Sequence, residues 1–201
     1  FMDGGKYSRA YDKETVLTNL DGISTALTTL QSDIIFLQEV DTIAHRSFKV
    51  NQVDYLTDQF SNYDAAFAQN YDSSYLFYPF TKPIGQSTSG LLTLSQFPIV
   101  TTTRYSLPIE PDFNKFFDLD RAFSVSHTTL GEHPLTLINV HLSAFTEDTT
   151  ILDNQIKKLA AIMEAEYQSG RSVIVGGDFN HDLLGNSPEV FETKKIIETW
   201  T

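Results

Sequence analysis

Three apolar runs in the sequence end on polar residues of mechanistic type. Ile34-Ile35-Phe36-Leu37 leads into Gln38-Glu39, Leu137-Ile138-Asn139-Val140 into His141, and Val173-Ile174-Val175-Gly176-Gly177 into Asp178-Phe179-Asn180. Buried strands are rigid, so groups at their ends are held to the tolerance that catalysis needs. Glu39 is a hard anionic oxygen donor of the kind that binds Mg²⁺ or Ca²⁺. Asp178 and His141 are types that orient or deprotonate water, and Asn180 and His141 can donate hydrogen bonds to phosphoryl oxygens.

Taken singly, each segment has a plainer reading. A Glu after an apolar strand is commonly a solvated strand end, a His there is commonly a hydrogen-bonded, partly buried imidazole, and Asn or Asp after Gly makes ordinary turns. The paired glycines Gly176-Gly177 strengthen the third segment because they allow close backbone approach. Turns alone do not account for all three segments in this order.

The elements that must position these groups can be read from periodicity. Val16, Leu20, Ile23, Leu27 and Leu30 alternate spacings of three and four, which predicts an amphipathic helix over 13–31 that covers a sheet. Leu152, Ile156, Leu159 and Met163 predict a second helix between Asp148 and Gln168, ended by Gly170. Strands are predicted at 33–37, 90–95, 98–103, 121–129, 135–141 and 172–177. The runs Ile34–Leu37 and Val173–Val175 are apolar on consecutive positions, so both of their faces should be covered, whereas Phe123, Val125 and His127 alternate with Ala122, Ser124 and Ser126. Leu130-Gly131-Glu132-His133-Pro134 reads as a hairpin loop, and the whole as two packed sheets with helices outside them.

Composition narrows the class. With 201 residues and 41% hydrophobic content, one well-buried core and one domain are expected. No stretch approaches the roughly 18 apolar residues of a membrane span, and Phe1-Met2-Asp3-Gly4-Gly5 lacks the basic-then-apolar order of a signal peptide. The expectation is a soluble monomer. Cysteine is absent, so any metal must be held by oxygen and imidazole ligands. Lys plus Arg total 14 against 26 Asp plus Glu, a net charge of −12, which disfavours extended nucleic acid as a partner and suits a protein that recruits Mg²⁺.

The ordered motifs resemble those of the endonuclease/exonuclease/phosphatase superfamily, which includes pancreatic deoxyribonuclease, apurinic endonucleases, inositol-polyphosphate 5-phosphatases and sphingomyelinases. Its Gln-Glu motif looks like Asp33-Ile34-Ile35-Phe36-Leu37-Gln38-Glu39-Val40. Its Asn-x-His-Leu motif is similar to Asn139-Val140-His141-Leu142, its Gly-Asp-Phe-Asn motif to Gly177–Asn180, and its strand ending in Ser-x-x-Pro-Ile to Ser89–Ile99. The resemblance spans residues 30–182 and implies an α/β fold, a four-layered αββα sandwich of two mostly antiparallel sheets flanked by helices. It also implies a phosphoester substrate and Mg²⁺, with Mn²⁺ or Ca²⁺ as alternatives. Glu39 would hold the ion, Asp178 would orient or activate water, and Asn180 and His141 would contact the phosphoryl oxygens, with Asn139 supporting them beside the substrate. Arg121 is a candidate phosphate contact because a guanidinium binds two oxygens at once. Its alternative is an ion pair within Asp118-Leu119-Asp120-Arg121.

The resemblance also expects an early strand bearing an Asn and a closing Asp-His pair. Neither can be placed, so the expectation is a domain of residues 1–201 without its first strand and its C-terminal catalytic segment. Gly85–Leu91 has the glycine spacing of a P-loop but Leu91 where Lys belongs, and Asp178–Asp182 faintly resembles a calcineurin-like motif whose early Asp-x-His partner is missing.

Substrate choice is less legible. Asp3–Arg9 resembles a region of an uncharacterised bacterial branch of the superfamily, and Lys6, Arg9, Arg46 and Lys49 either border the active face or form solvated loops. Tyr71, Tyr75, Phe77, Tyr78 and Phe80, with Phe113, Phe116 and Phe117, either stack on a base, sugar or lipid headgroup or form small satellite cores. Three functions are therefore carried forward: a metal-dependent phosphoesterase, a Mg²⁺-dependent nuclease, and a catalytically silent binding domain of the same fold.

Overall fold

Helix α1 (Lys13–Leu30) starts where the Asp12 carboxylate accepts the Thr15 N–H at 2.7 Å, and ends at Gln31 in a left-handed conformation. The computed structural model describes residues 8–77, 80, 83–109, 120–143, 149–181 and 186–192. Val16, Leu20 and Ser24 form the buried stripe of α1, whereas Ile23 and Leu30, expected within it, are 45% and 69% exposed.

Strand β1 (Ile34–Ala44) continues well past the predicted end at 37, and is followed by a short 3₁₀ turn at His45–Ser47 and by helix α2 (Gln52–Gln59). Strands β2 (Asp64–Leu76) and β3 (Gly85–Ser95) complete an antiparallel sheet of order β1-β3-β2. Helices α1 and α2 cover its outer face, where Val16, Leu20, Leu56 and Phe60 pack on Ile35, Val40, Leu92 and Leu94.

The second sheet has the order β4-β5-β6-β7, built from β4 (Thr101–Ser106), β5 (Ala122–Leu130), β6 (His133–His141) and β7 (Ser172–Asp178). Its pairs are antiparallel except β6 and β7, which are parallel and joined through helix α3 (Thr149–Gln168). A parallel pair requires such a crossover. Leu159 of α3, with Leu152, Ile162 and Met163, packs on Phe123, Val125, Ile138 and Val140. These two sheets, with helices outside both, make an α/β sandwich of four layers. A four-residue helix α4 (Ser187–Val190) follows β7.

Alternation along β5 sends Phe123 and Val125 towards α3 and leaves Ser124 and Ser126 facing the other sheet, where they too are buried. β7 differs from its prediction: Val173 and Val175 pack against the α3 cluster, but Ile174 is 44% exposed, so one face of that run is not fully covered among the described residues.

Candidate active site

The register of β1 on β3 slips at one place. Leu37 pairs with Leu92 and Val40 with Gly90, so Gln38 and Glu39 together oppose a single residue. This is a β-bulge, and Glu39 within it adopts a left-handed φ of 56°. A bulge re-aims side chains that regular alternation would bury, and the Glu39 side chain is 54% exposed although its strand runs on for five more residues. Asn139 of β6 braces the bulge from the opposite sheet. Its Oδ1 accepts Gln38 Nε2 at 2.7 Å, and its Nδ2 donates to the carbonyls of Leu37 and Leu92 at 3.2 Å each. Asn139 is fully buried, with its side chain engaged by the bulge and by the Leu92 carbonyl of β3.

Arg46, in the turn after β1, faces back onto the bulge. Its Nη1 donates to Glu39 Oε2 at 3.1 Å, while Nε and Nη2 engage the Asp41 carboxylate, with Nη2 at 2.9 Å from Oδ1. Arg46 is 13% exposed and Asp41 1%. Burial alone would raise the Glu39 carboxyl, but the positive field of Arg46, reinforced by His141 and Arg121, outweighs it and holds the pKa below the usual range. Arg46 is in direct contact with the Glu39 carboxylate, and His141 and Arg121 act on it through space. Tyr71 of β2 shares this neighbourhood: burial pushes its hydroxyl pKa up, against the opposing pull of Arg46 and Arg121.

The second half of the site sits where β6 and β7 end. His141 and Asp178 are register partners in the parallel pair, with Nε2 3.9 Å from Oδ2. His141 is buried and Asp178 is 48% exposed. Asn180, left-handed at φ 54°, closes a tight loop by donating its backbone N–H to Asp178 Oδ1 at 2.8 Å, and its side-chain Nδ2 donates to the Leu142 carbonyl at 2.8 Å. Two glycines allow the strand to come this close. A Cβ on Gly177 (φ 140°) would lie 2.0 Å from the Val140 carbonyl oxygen, and one on Gly176 would lie 2.8 Å from the Phe36 ring of β1.

Glu39, His141 and Arg121 are thus brought into one electrostatic neighbourhood, and Asp178 and Asn180 join it through His141. Asp41 was not among the expected site residues, whereas Tyr71 was expected either to stack on substrate or to join a satellite core. The spacing Glu39-Val40-Asp41 before Arg46 is the signal that could have pointed to Asp41. Arg46, read as a border or loop cation, is a largely covered partner of two carboxylates. Arg9 donates to the Pro83 carbonyl at 2.7 Å, and His181 turns back to the Phe179 carbonyl at 3.0 Å as a loop residue. Tyr75, Phe77 and Phe80 are exposed, and the rings of Tyr75 and Phe77 meet edge to face with centroids 4.9 Å apart. Lys6, Tyr78, Phe113, Phe116, Phe117 and Asp118 lie outside the described residues.

Glu39 and Asp178 supply exposed hard oxygens, but among the described residues no three acidic or imidazole side chains are grouped as an ion cage. That donor set fits Mg²⁺, which keeps most of its water and binds through one or two carboxylates together with substrate phosphate.

The sequence profile described as the Endonuclease/Exonuclease/phosphatase family matches residues 16–194. The chain belongs to this family. No curated protein matches it in sequence. Among solved structures it is similar to sphingomyelinase C from Streptomyces griseocarneus, with a TM-score of 0.63 and 15% identity over 87% of this chain and 60% of that one. It is also similar to a member of the family from Bacteroides thetaiotaomicron, with a TM-score of 0.61 and 18% identity over 91% and 64%. A third is TDP2 from D. rerio complexed with a single-strand DNA product, with a TM-score of 0.57 and 18% identity over 88% and 58%. At these identities the likeness is one of fold, and the chain spans about three fifths of each.

Proposed function

We propose that the chain carries the site of a metal-dependent phosphodiesterase that hydrolyses its substrate by attack of water on phosphorus. The observation that supports this reading is that the bulge bearing the re-aimed Glu39 is bonded, through Gln38 and Asn139, to the strand that ends at the His141–Asp178 pair. Asp178 suits the role of water activator: Oδ1 is held by the Asn180 N–H, which leaves Oδ2 turned towards His141 and the solvent. His141 Nε2 and the second amide hydrogen of Asn180 are donors for the phosphoryl oxygens, and Arg121 adds positive charge on the same side. Glu39 is the residue that would hold Mg²⁺. When bound, the ion polarises a phosphoryl oxygen and stabilises the leaving oxygen.

A diester is favoured because the ester bonds of sphingomyelin and of DNA, named for two of the similar structures, share that chemistry. The test is turnover of bis(4-nitrophenyl) phosphate by the purified chain with Mg²⁺ or Mn²⁺, repeated with excess chelator and with Glu39→Gln. Metal-dependent turnover that Glu39→Gln abolishes is expected. Undiminished turnover in chelator overturns the proposal.

A further inference from the structure

Arg46 lies between two carboxylates that make unequal claims on it. The Nε and Nη2 edge of its guanidinium faces Asp41, with Nε 3.2 Å from each carboxylate oxygen and Nη2 2.9 Å from Oδ1. Nη1 reaches the Glu39 carboxylate at 3.1 Å on Oε2, while Nη2 also lies 3.4 Å from the Glu39 backbone carbonyl. Asp41 is 1% exposed, and its backbone N–H donates to Gln52 Oε1 at 3.1 Å, so this carboxylate is a buried anchor on a tethered backbone. Glu39 is by contrast exposed. An arginine fork binds a carboxylate best through two parallel N–H bonds. A guanidinium with no other anion beside it would therefore turn both donors onto Glu39 and compete directly with a divalent cation.

We propose that Asp41 is a positioning residue that holds Arg46 off Glu39: the buried carboxylate takes the two-donor edge of the guanidinium, and Glu39 keeps one oxygen for the metal ion. The inference rests on the reading of Glu39 as the metal's ligand. It gives a function to a buried ion pair that stability alone does not require, since buried pairs are often no more stabilising than apolar packing.

The experiment is calorimetric titration of Mn²⁺ into the full chain and into Asp41→Asn, Arg46→Gln and the double variant, at moderate salt to screen through-space effects. Asp41→Asn weakens Mn²⁺ binding about tenfold or more. Arg46→Gln then recovers most of that loss in the Asp41→Asn background, but changes affinity much less when Asp41 is present. Effects that simply multiply show two independent charges and overturn the proposal. Glu39→Gln is titrated in parallel: if it binds Mn²⁺ as the unsubstituted chain does, the assignment of Glu39 fails first, and that outcome is distinguishable from a failure of Asp41 alone. Because Arg46→Gln leaves a buried carboxylate without its partner and can unfold the protein, a second measurement uses the unsubstituted chain. The Nε–H of Arg46, followed by ¹⁵N NMR, stays protected from exchange when Mg²⁺ is added, and its loss of protection would mean that Asp41 does not keep the guanidinium.

Discussion

His141 and Asp178 end adjacent parallel strands as direct register partners, with imidazole Nε2 3.9 Å from carboxylate Oδ2. Neither is positioned by a loop. The Val140 carbonyl against Gly177 sets how closely β7 lies beside β6, and Leu142 N–H donates to the Asp178 carbonyl at 2.9 Å just beyond the pair. The chemistry at the strand ends is thereby tied to the backbone ladder beneath it.

Asp178→Asn keeps the size of the side chain and its acceptor for the Asn180 N–H, but removes the base. Diester turnover falls by about a hundredfold or more, the usual contribution of a positioned general base, while the circular dichroism spectrum and the melting temperature stay near those of the unsubstituted chain. A variant that retains most of its turnover would remove Asp178 from the chemistry.

Much of this was legible beforehand, and the reasons for the rest are physical. Runs such as Leu135–Val140 and Ser172–Val175 are apolar and β-branched enough to declare themselves as strands. β2 does not, because Asp64-Ala65-Ala66-Phe67-Ala68-Gln69-Asn70 lacks β-branched residues and owes its pairing to β3. The bulge at Gln38-Glu39 depends on the partner register at Leu92 and Gly90, which no local pattern encodes. Arg46 resembles a loop cation until Asp41 is known to be buried beside it. Periodicity placed Ile23 and Leu30 in the stripe of α1, but only contact with the sheet decides how wide a stripe is covered.

Gly177→Ala tests the closeness of β6 and β7. With φ at 140° and the Val140 carbonyl 2.0 Å from the added Cβ, neither the backbone nor its neighbour accommodates a methyl group. The expected loss is at least about 2 kcal/mol in urea denaturation. Turnover falls with it, because His141 and Asp178 move apart when the pair opens. Unchanged stability would show that β7 sits further from β6 than the structure places it.

A pH dependence is expected at the opposite end of α3. Glu166 Oε2 accepts from Arg171 Nε at 2.6 Å and Thr136 Oγ1 at 2.8 Å, and lies 2.9 Å from His127 Nε2. Burial alone would raise its pKa, but these partners, Arg171 foremost, depress it below the usual 4.5. A carboxyl depressed in the folded state adds stability that is fully present above its unfolded value and is lost as pH falls through the folded one. Glu166→Gln therefore costs about 2 kcal/mol at pH 7, and the gap to the unsubstituted chain narrows as denaturation is measured progressively below pH 4.5. A gap independent of pH would assign the whole effect to packing.

Asn139 links the fold to the site, and its substitution separates the two. The side chain satisfies Gln38 Nε2 and the Leu37 and Leu92 carbonyls from a position with no access to solvent. Asn139→Leu is close in size but leaves those groups unpaired in the interior. Leaving buried polar groups unsatisfied costs roughly 1–3 kcal/mol each, moderated by any that relax towards one another. The expected loss is about 3 kcal/mol overall, read as a lower urea midpoint. Because the bonds lost are those that brace the bulge, Glu39 should also lose its fixed direction. Mn²⁺ affinity measured at low temperature, where the variant is folded, should then fall while the His141–Asp178 pair is undisturbed. Asn139→Asp keeps the acceptor for Gln38 but sets a carboxylate against two carbonyls, so it should be worse than Asn139→Leu in stability. A stable Asn139→Asp with full metal affinity would mean that the bulge is held by the strand ladder alone.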